Sequence, residues 1–331
     1  MCYPQLMKNI LITTLLILSL TSCEFNVKIP PTKNDKPQSY LAPDSLLYNY
    51  PQKVSENVYS AIGETDAPTY ENSGHNNNLS FIITDEGVVV VNASASYLLA
   101  KALHTEIKKL TKQPVKYVIL ENAQGHAMLG SNYWQEQGAK IVAHKDAAAV
   151  MKRYAKSSVE RMQKRQKDKG KFTKATVPDI TFDDKFELNM GGTIIQALHL
   201  GPAHSPGDIV VWLPQQKLVI AGDMAFHQRL LPVTEHTDTA AWINTWETKF
   251  EPLNAQIVIP GHGTPTTMVE VRKYTVDYLK YVREQVAKIL EEDGDLQEAY
   301  EMDLSAYEHL DTFDDLAKQN IGRIYRAMEF E

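Results

Sequence analysis

Residues 118–134, which read VILENAQGHAMLGSNYW, decide how this chain folds and where its site lies. An apolar strand ends at Leu120, a polar turn follows, and small residues then begin a helix. Scaffolds often present functional side chains in turns at the ends of strands. His126 lies in this turn and is therefore a candidate residue of a functional site.

Apolar strands and amphipathic helices alternate on both sides of this stretch. Gly87–Val91 is a continuous apolar run of the kind a strand buried on both faces shows, and residues 98–110 have helical spacing. The alternation predicts an α/β layered fold. Further strands are predicted over residues 54–62, 77–84, 115–120, 139–143, 180–188, 193–200, 208–213, 218–221 and 257–260, and a short helix over 132–137.

Three more turns share the same design, in which a His or Asp follows an apolar strand among Gly and Pro. They are residues 200–208 (LGPAHSPGD), 219–223 (VIAGD) and 258–263 (VIPGHG). Glycine allows the backbone to approach a ligand closely. We therefore expect His204, Asp223 and His262 to meet His126 at one edge of the fold.

In order and spacing, these motifs resemble those of the metallo-β-lactamase superfamily, over about residues 54–265. GPAHSPGD is similar to its third metal motif, AGD to its bridging aspartate and PGHG to its last histidine. The continuation HSPGDIVVWLPQQKLVIAGDMAF resembles the branch of sulfur-oxidation-type and quinoprotein-associated hydrolases. The resemblance implies a four-layer αβ/βα sandwich, here residues 48–331, with one or two zinc ions at its open edge.

The first metal motif of that superfamily, His-x-His-x-Asp-His, is altered in this chain. Counted back from Gly130, its two early histidines are matched by Asn122 and Gln124, and its aspartate by His126. A shift of one residue would instead match His126 to the last histidine. Either alignment leaves His126 at the second metal position.

The altered motif favours one metal over two. Zinc sites use three or four imidazole, thiolate or carboxylate ligands, and catalytic sites keep one position open for water. Asn122 and Gln124 offer only amide oxygens, so with His204 they make a poor first site. His126, Asp223 and His262 form a two-His-one-carboxylate set suited to zinc or iron(II), with His204 bridging nearby or contacting substrate.

The implied activity is hydrolysis of an ester, thioester, lactone or amide bond by metal-bound hydroxide, since a metal lowers the pKa of bound water to about 7. Asp223 would orient the nucleophile, and Asn122 and Gln124 would donate hydrogen bonds to the substrate oxygen. His227 and Arg229, in the loop after Asp223, are candidate contacts to a small-molecule substrate.

Two other functions fit the same residues. A member that has lost two imidazoles could bind a ligand or partner without turnover, although it retains His204, Asp223 and His262. A β-lactamase is a third candidate, which the altered early ligands oppose. Fold alone does not choose among them.

The first 23 residues have the order of a secretory signal: Lys8, an apolar run over residues 10–20, then small residues. The run is too short to span a bilayer. Residues 20–23 (LTSC) resemble the lipobox of bacterial lipoproteins, in which Cys23 is lipidated. We therefore expect a membrane lipid anchor on a periplasm-facing protein of the cell envelope, with Glu24 favouring the outer membrane. Residues 24–47 contain four prolines among polar residues and are predicted to be a flexible tether.

Charge distribution adds two expectations. The net charge of −7 argues against a nucleic-acid binder. Residues 151–174, a basic helical insert, contain ten Lys or Arg against two acids. A solvated helix is the favoured interpretation, and a lid that attracts anions, or a surface that meets anionic lipid, is the alternative. Residues 268–331 are predicted to be helical, capping the pocket or making a dimer contact.

Overall fold

The structure, a computed structural model, describes Met1 and residues 41–331. In that part of the chain, two β-sheets pack face to face. The first sheet is antiparallel over its first four strands and parallel over the rest. Its strands, in spatial order, are β1 (Gln52–Lys53), β2 (Val58–Ala61), β3 (Leu79–Thr84), β4 (Gly87–Val91), β5 (Val115–Ile119), β6 (Lys140–His144) and β7 (Ile180–Phe182).

The second sheet has the spatial order β12-β11-β10-β9-β8. Only its edge pair, β11 and β12, is parallel. Because these two strands are parallel, Asp223 on β11 and His262 on β12 lie at the same edge of the sheet. The strands are β8 (Lys185–Met190), β9 (Thr193–Leu198), β10 (Val210–Leu213), β11 (Leu218–Phe226) and β12 (Ile257–His262).

Helices cover the outer face of each sheet. Those beside the first sheet are α1 (Tyr97–Leu110), α2 (Gly125–Met128), α3 (Ser131–Glu136) and α4 (Lys145–Gln166), which a 3₁₀ turn extends over Lys167–Gly170. Those beside the second are α5 (Thr239–Thr245), extended by a π turn (Trp246–Phe250) and a 3₁₀ turn (Glu251–Leu253), α6 (Met268–Tyr274), α7 (Val276–Glu291), α8 (Leu296–Ala299) and α9 (Phe313–Met328). A 3₁₀ turn (Pro214–Gln216) joins β10 to β11.

Three apolar layers hold these elements together. Val89 and Ile119 meet Val211 and Ile220 between the two sheets. A second layer fills the space between the first sheet and α1, α3 and α4. A third, which includes the buried Trp242, lies between the second sheet and the helices that follow it. The predicted four-layer αβ/βα sandwich is therefore confirmed.

Some predicted boundaries differ from the observed ones. The strand predicted over 180–188 is two strands, β7 and β8, in different sheets, because a turn at Asp183 and Asp184 carries the chain across the sandwich. Within the tether predicted over 24–47, Ala42 and Leu47 are buried in the second apolar layer, and residues 24–40 lie outside the described chain. Residues 1–23, including Cys23, lie outside the described chain apart from Met1.

The basic segment is mostly the second half of α4. Ala147, Met151, Ala155, Val159 and Met162 recur every three or four residues and are buried, so this face of the helix packs on the core while its Lys and Arg face outward. The favoured interpretation, a solvated helix, concerns the outward face alone, since the opposite face of the helix is buried. Among residues 41–331, no helix is long and apolar enough to cross a membrane.

Candidate metal centre

The stretch that contains His126 is held between the two sheets. His126 lies on the short helix α2, and the backbone N–H of Ala93 donates to the carbonyl of Ala127 (2.7 Å). The N–H of Gly130 donates to the carbonyl of Ser94 (2.9 Å). These bonds tie the turn to the loop after β4 and direct His126 towards the second sheet.

Asp223 and His262 come from neighbouring parallel strands of the second sheet. Asp223 was expected in a turn but lies inside β11, whose register to β12 shifts on either side of Gly222. This irregularity aims the carboxylate at the sheet edge, where His262 is the last residue of β12. One ligand atom each from His126, Asp223 and His262 lies within 4.8 Å of the others.

The separations in this trio suit one metal ion. Nε2 of His262 lies 3.3 Å from Oδ1 of Asp223, and Nε2 of His126 lies 3.5 Å from Oδ2. Zinc bonds of 2.0–2.1 Å in tetrahedral geometry place neighbouring ligand atoms about 3.3 Å apart. The donor set and its spacing therefore fit a single divalent ion.

His204 lies beside the trio but outside it. Its Nε2 is 4.0 Å from Oδ2 of Asp223, and its ring packs against Phe226 and Trp242 at 5.9 Å. The side chain is 1% exposed. In this position His204 borders the trio and lines the same cavity.

The amide of Asn122 is engaged at both ends. Its Nδ2 donates to Oδ2 of Asp223 (3.0 Å), and its Oδ1 accepts from the backbone N–H of Gln124 (2.9 Å). Asn122 therefore orients Asp223 through one of the two N–H groups of its amide. Gln124 lines the cavity, so its side chain remains available to a substrate.

Glu121 was not among the residues expected from the sequence. Its Oε1 lies 3.0 Å from Nε2 of His126, and the residue is 2% exposed. Gly222 makes room for it, because a Cβ there would lie 2.2 Å from Oε2 of Glu121. One signal was present in the sequence: an acidic residue directly after a buried strand.

Electrostatic interactions among these buried groups shift their pKa values. Burial alone would lower the pKa of His126, but the carboxylates of Asp223 and Glu121 outweigh it and raise that pKa to about 10. Burial and the nearby Asp223 raise the pKa of Glu121, whereas His126 and His262 overcome burial and hold the pKa of Asp223 well below its usual range. Burial and Arg229 lower the pKa of His262 to about 4. Asp223 and Glu121 thus favour the protonated form of His126, and Asp223 is ionised beside it.

The trio borders a cavity of about 230 Å³. Of the two expected substrate contacts, Arg229 lines this cavity, and its Nη1 lies 3.2 Å from Nδ1 of His262. His227 is not among the lining residues; its Nδ1 lies 3.0 Å from the carbonyl of Thr264 and its ring stacks on Tyr274. The lining residues are Pro68, Gly74, Asn76, Ala95, Gln124, Gly125, His126, Arg165, His204, Asp223, Phe226, Arg229, Pro232 and His262.

Residues 126–262 match the family model described as the Metallo-beta-lactamase superfamily. This range includes His126, His204, Asp223 and His262. This part of the chain is therefore similar in sequence to that superfamily. The match begins and ends on two members of the proposed metal trio. The superfamily includes hydrolases, among them the relatives described next.

Curated relatives carry two different activities in their names. A "Metallo-beta-lactamase type 2" of Bacillus sp. (strain 170) is 27% identical over 185 residues, which are 54% of this chain and 64% of the relative. A "Linear primary-alkylsulfatase" of a Pseudomonas species is 27% identical over 120 residues, 34% of this chain and 22% of the relative. The matches thus span less than two thirds of either relative's length.

Solved structures agree on the fold. A metallo-beta-lactamase from Pontibacter korlensis superposes with a TM-score of 0.58 at 22% identity, covering 70% of this chain and 98% of that one. A stereoselective inverting sec-alkylsulfatase from Pseudomonas sp. gives a TM-score of 0.64 at 17% identity, covering 85% of this chain and 50% of that one. At these identities the likeness establishes the metallo-β-lactamase fold alone.

Proposed function

We propose that this protein is a metal-dependent hydrolase that works with one metal ion, held by His126, Asp223 and His262. The observation that carries the proposal is the convergence of these three donors within 4.8 Å at a cavity. Zinc fits the donor set, and iron(II) fits it as well. A second ion would need Asn122 and Gln124, and the side-chain oxygen of Asn122 already accepts a hydrogen bond.

An ion held there would lower the pKa of a water molecule to about 7 and polarise the bond to be broken. The chain's own residues supply the rest. Asn122 fixes the carboxylate of Asp223 through its Nδ2, and Gln124 faces the cavity, where it can donate to a substrate oxygen. Arg229 places a positive charge beside the trio, where it can stabilise negative charge that develops on the substrate.

The proposed substrate is a small molecule with an ester, thioester, lactone or amide bond. The names of the relatives add two bonds to test, the β-lactam amide and the sulfate ester. A β-lactamase remains a candidate on those names, against the substitution of both early histidines by Asn122 and Gln124.

A non-catalytic ligand-binding protein is the second candidate function. The observation that favours it is the pairing of His126 with both Glu121 and Asp223, at 3.0 and 3.5 Å. A protonated His126 between two carboxylates neutralises much of their charge without any metal. We rank this function below hydrolysis because the trio retains the spacing of a zinc site.

Elemental analysis and a substrate panel test the proposal together. We expect about one zinc per chain, and turnover of at least one member of a panel of lactone, thioester, chromogenic β-lactam and sulfate ester. His262→Ala should lose both, whereas His236→Ala, an exposed histidine away from the trio, should retain both. Two zinc ions per chain would contradict the single-metal site. Turnover that survives His262→Ala would contradict the assignment of the trio.

We further propose that the protein is a lipoprotein of the bacterial cell envelope, anchored through Cys23 and facing the periplasm, with the outer membrane as its membrane. The support is the order of the first 23 residues and the LTSC sequence that ends them. Metabolic labelling with a palmitate analogue should mark the wild type and not Cys23→Ala. Equal labelling of both, or none of either, would contradict the proposal.

A further inference from the structure

Arg165 connects the basic segment to the cavity. It lies in the last turn of α4, and its side chain lines the same cavity as His126, Asp223 and His262. The other basic residues of this helix are absent from the lining. Arg165 is thus the one residue of the basic segment, residues 151–174, that lines the cavity.

The end of α4 is fixed against the loop that forms one wall of the cavity. Nε2 of the buried Gln166 donates to the carbonyl of Thr69 (2.6 Å), and Nζ of Lys169 donates to the carbonyl of Tyr70 (2.6 Å). The hydroxyl of Tyr70 donates in turn to Oδ1 of Asp168 (2.9 Å). Arg165, which is exposed to solvent, therefore borders the cavity from a backbone that is held in place.

Among residues 41–331, the guanidinium of Arg165 has no counter-ion. It also makes no hydrogen bond to those residues, whereas Arg161, one turn earlier, donates to the hydroxyls of Ser157 and Ser158. Partial burial and the nearby Arg161 lower the pKa of Arg165, as expected of a cation without a negative partner.

Arg229 adds a second cation to the same cavity, and the nearby carboxylates of Asp223, Asp66 and Asp311 offset part of the cost of burying it. It is 7% exposed, and among the described residues its Nε has no hydrogen-bond partner. Its Nη1 contacts Nδ1 of His262, which also lies 2.5 Å from the carbonyl of Asn76. A buried guanidinium with an unused donor is costly unless a ligand completes it.

We propose that Arg165, with Arg229 deeper in the cavity, forms a binding site for an oxyanion, so that the substrate is a small molecule carrying a carboxylate, sulfate or phosphate group. Guanidinium forks bind such groups through two parallel N–H···O bonds. The cavity, at about 230 Å³, is below the range of roughly 300–1,000 Å³ of drug-sized pockets and suits a small ligand. This substrate class rests on the proposed hydrolase function, whereas the anion site itself does not.

Anion binding by the metal-free full chain tests the site without catalysis. Sulfate and phosphate are titrated separately by calorimetry into the wild type, Arg165→Gln and the control Arg161→Gln, which removes the same charge from the same helix. We expect Arg165→Gln to weaken binding about tenfold, the loss of one partly exposed charged hydrogen-bonding group. Arg161→Gln should change it less than twofold. Equal affinities in the wild type and Arg165→Gln would overturn the proposal, as would equal losses in the two variants.

A third variant separates geometry from charge. Arg165→Lys keeps the charge but lacks the fork, so its affinity should fall between those of the wild type and Arg165→Gln. Thermal unfolding of each variant checks the fold, and if Arg165→Gln is unstable the Arg165→Lys comparison decides the question. No difference between Arg165→Lys and the wild type would then overturn the forked contact.

Kinetics on paired esters link the site to the function. An ester with a remote carboxylate and its neutral methyl counterpart are compared in the metal-loaded enzyme. Arg165→Gln should raise KM about tenfold for the anionic ester and leave KM for the neutral ester unchanged. Turnover of both esters with no selective change in KM would refute the substrate class and leave the hydrolase intact. Lack of turnover of any panel substrate would refute the hydrolase, while the calorimetry still decides the anion site.

Discussion

Glu121→Gln removes one negative charge from the proposed metal centre and keeps the shape of the side chain. Oε1 of Glu121 lies 3.0 Å from Nε2 of His126, so the two groups interact directly. Binding a divalent ion in place of the proton on His126 raises the local charge by one unit. A carboxylate beside the site favours that exchange, and its loss should weaken metal binding.

The expected size of the effect follows from the general behaviour of such carboxylates. Glu121 faces the same nitrogen of His126 that faces Asp223, so its carboxylate would lie directly beside a bound ion. We take as a guide the effect of removing outer-shell partners of metal ligands, which lowers metal affinity about 10- to 100-fold. At about 1.36 kcal/mol per factor of ten, this loss corresponds to about 1.4–2.7 kcal/mol of binding free energy. Because Glu121 is 2% exposed, little solvent screening reduces this value.

The same substitution should change the pH dependence of metal binding. Burial lowers the pKa of His126, but Asp223 and Glu121 raise it to about 10, so the metal-free site is protonated below that pH. Metal entry then releases this proton, and the apparent Kd should fall about tenfold for each unit rise in pH between 6.5 and 9. Without the charge of Glu121 the pKa of His126 falls, so the slope should flatten at the upper end of this range.

Competition with a chromophoric chelator measures zinc Kd over that pH range in the wild type and Glu121→Gln. Glu136→Gln is the matched control, because Glu136 is exposed on α3 and bonds only to the hydroxyl of Tyr97 among the described residues. The reasoning is refuted if Glu121→Gln binds zinc as tightly as the wild type with the same pH slope. It is equally refuted if the control loses as much affinity.

Three further predictions concern Gly222, His204 and Met162. In urea denaturation, Gly222→Ala should lower the free energy of unfolding by at least about 1 kcal/mol more than Gly192→Ala does. Both glycines have positive φ (56° and 82°), which costs an alanine about 1–2 kcal/mol, but only Gly222 lies against Glu121. His204→Ala should keep its zinc in elemental analysis, since His204 lies outside the trio, and loss of the metal would add it to the ligands. Met162→Ala should cost about 2–5 kcal/mol in urea denaturation, because this side chain is 1% exposed under α4; a cost below about 0.5 kcal/mol would indicate a loosely attached helix.

Local pattern was enough to predict most of the fold. The continuous apolar run Gly87–Val91 is β4 without any change of boundary, and residues 98–110 form α1 with one residue added. Both predictions succeed because burial on two faces, or on one helical face, determines the residue types at every position. The strand predicted over 180–188 failed for the opposite reason: β8 alternates and β7 is short, so only the partner sheets show where one ends and the other begins.

The site divides in the same way. The sequence by itself indicated His126, His204, Asp223 and His262, because each was predicted to lie in a turn after an apolar strand. It also indicated the loss of two imidazoles at Asn122 and Gln124. The structure brings Nε2 of His204 to 4.0 Å from Oδ2 of Asp223, yet His204 does not join the group whose ligand atoms all lie within 4.8 Å of one another. The relative position of these residues depends on how distant segments pack together, so no single segment of the sequence predicts it.

Pairings between distant segments were decided only by the tertiary structure. Asn122 bonds to Asp223 across 101 residues of sequence, and Glu121 fits against Gly222 from the other sheet. Arg165, one of ten basic residues in its segment, borders the cavity because the end of α4 is tied to the loop at Thr69 and Tyr70. Sequence determines which residues can bind a metal or an anion, since that is a property of each side chain. Which of them meet depends on the packing of two sheets and a helix, and that is a property of the whole fold.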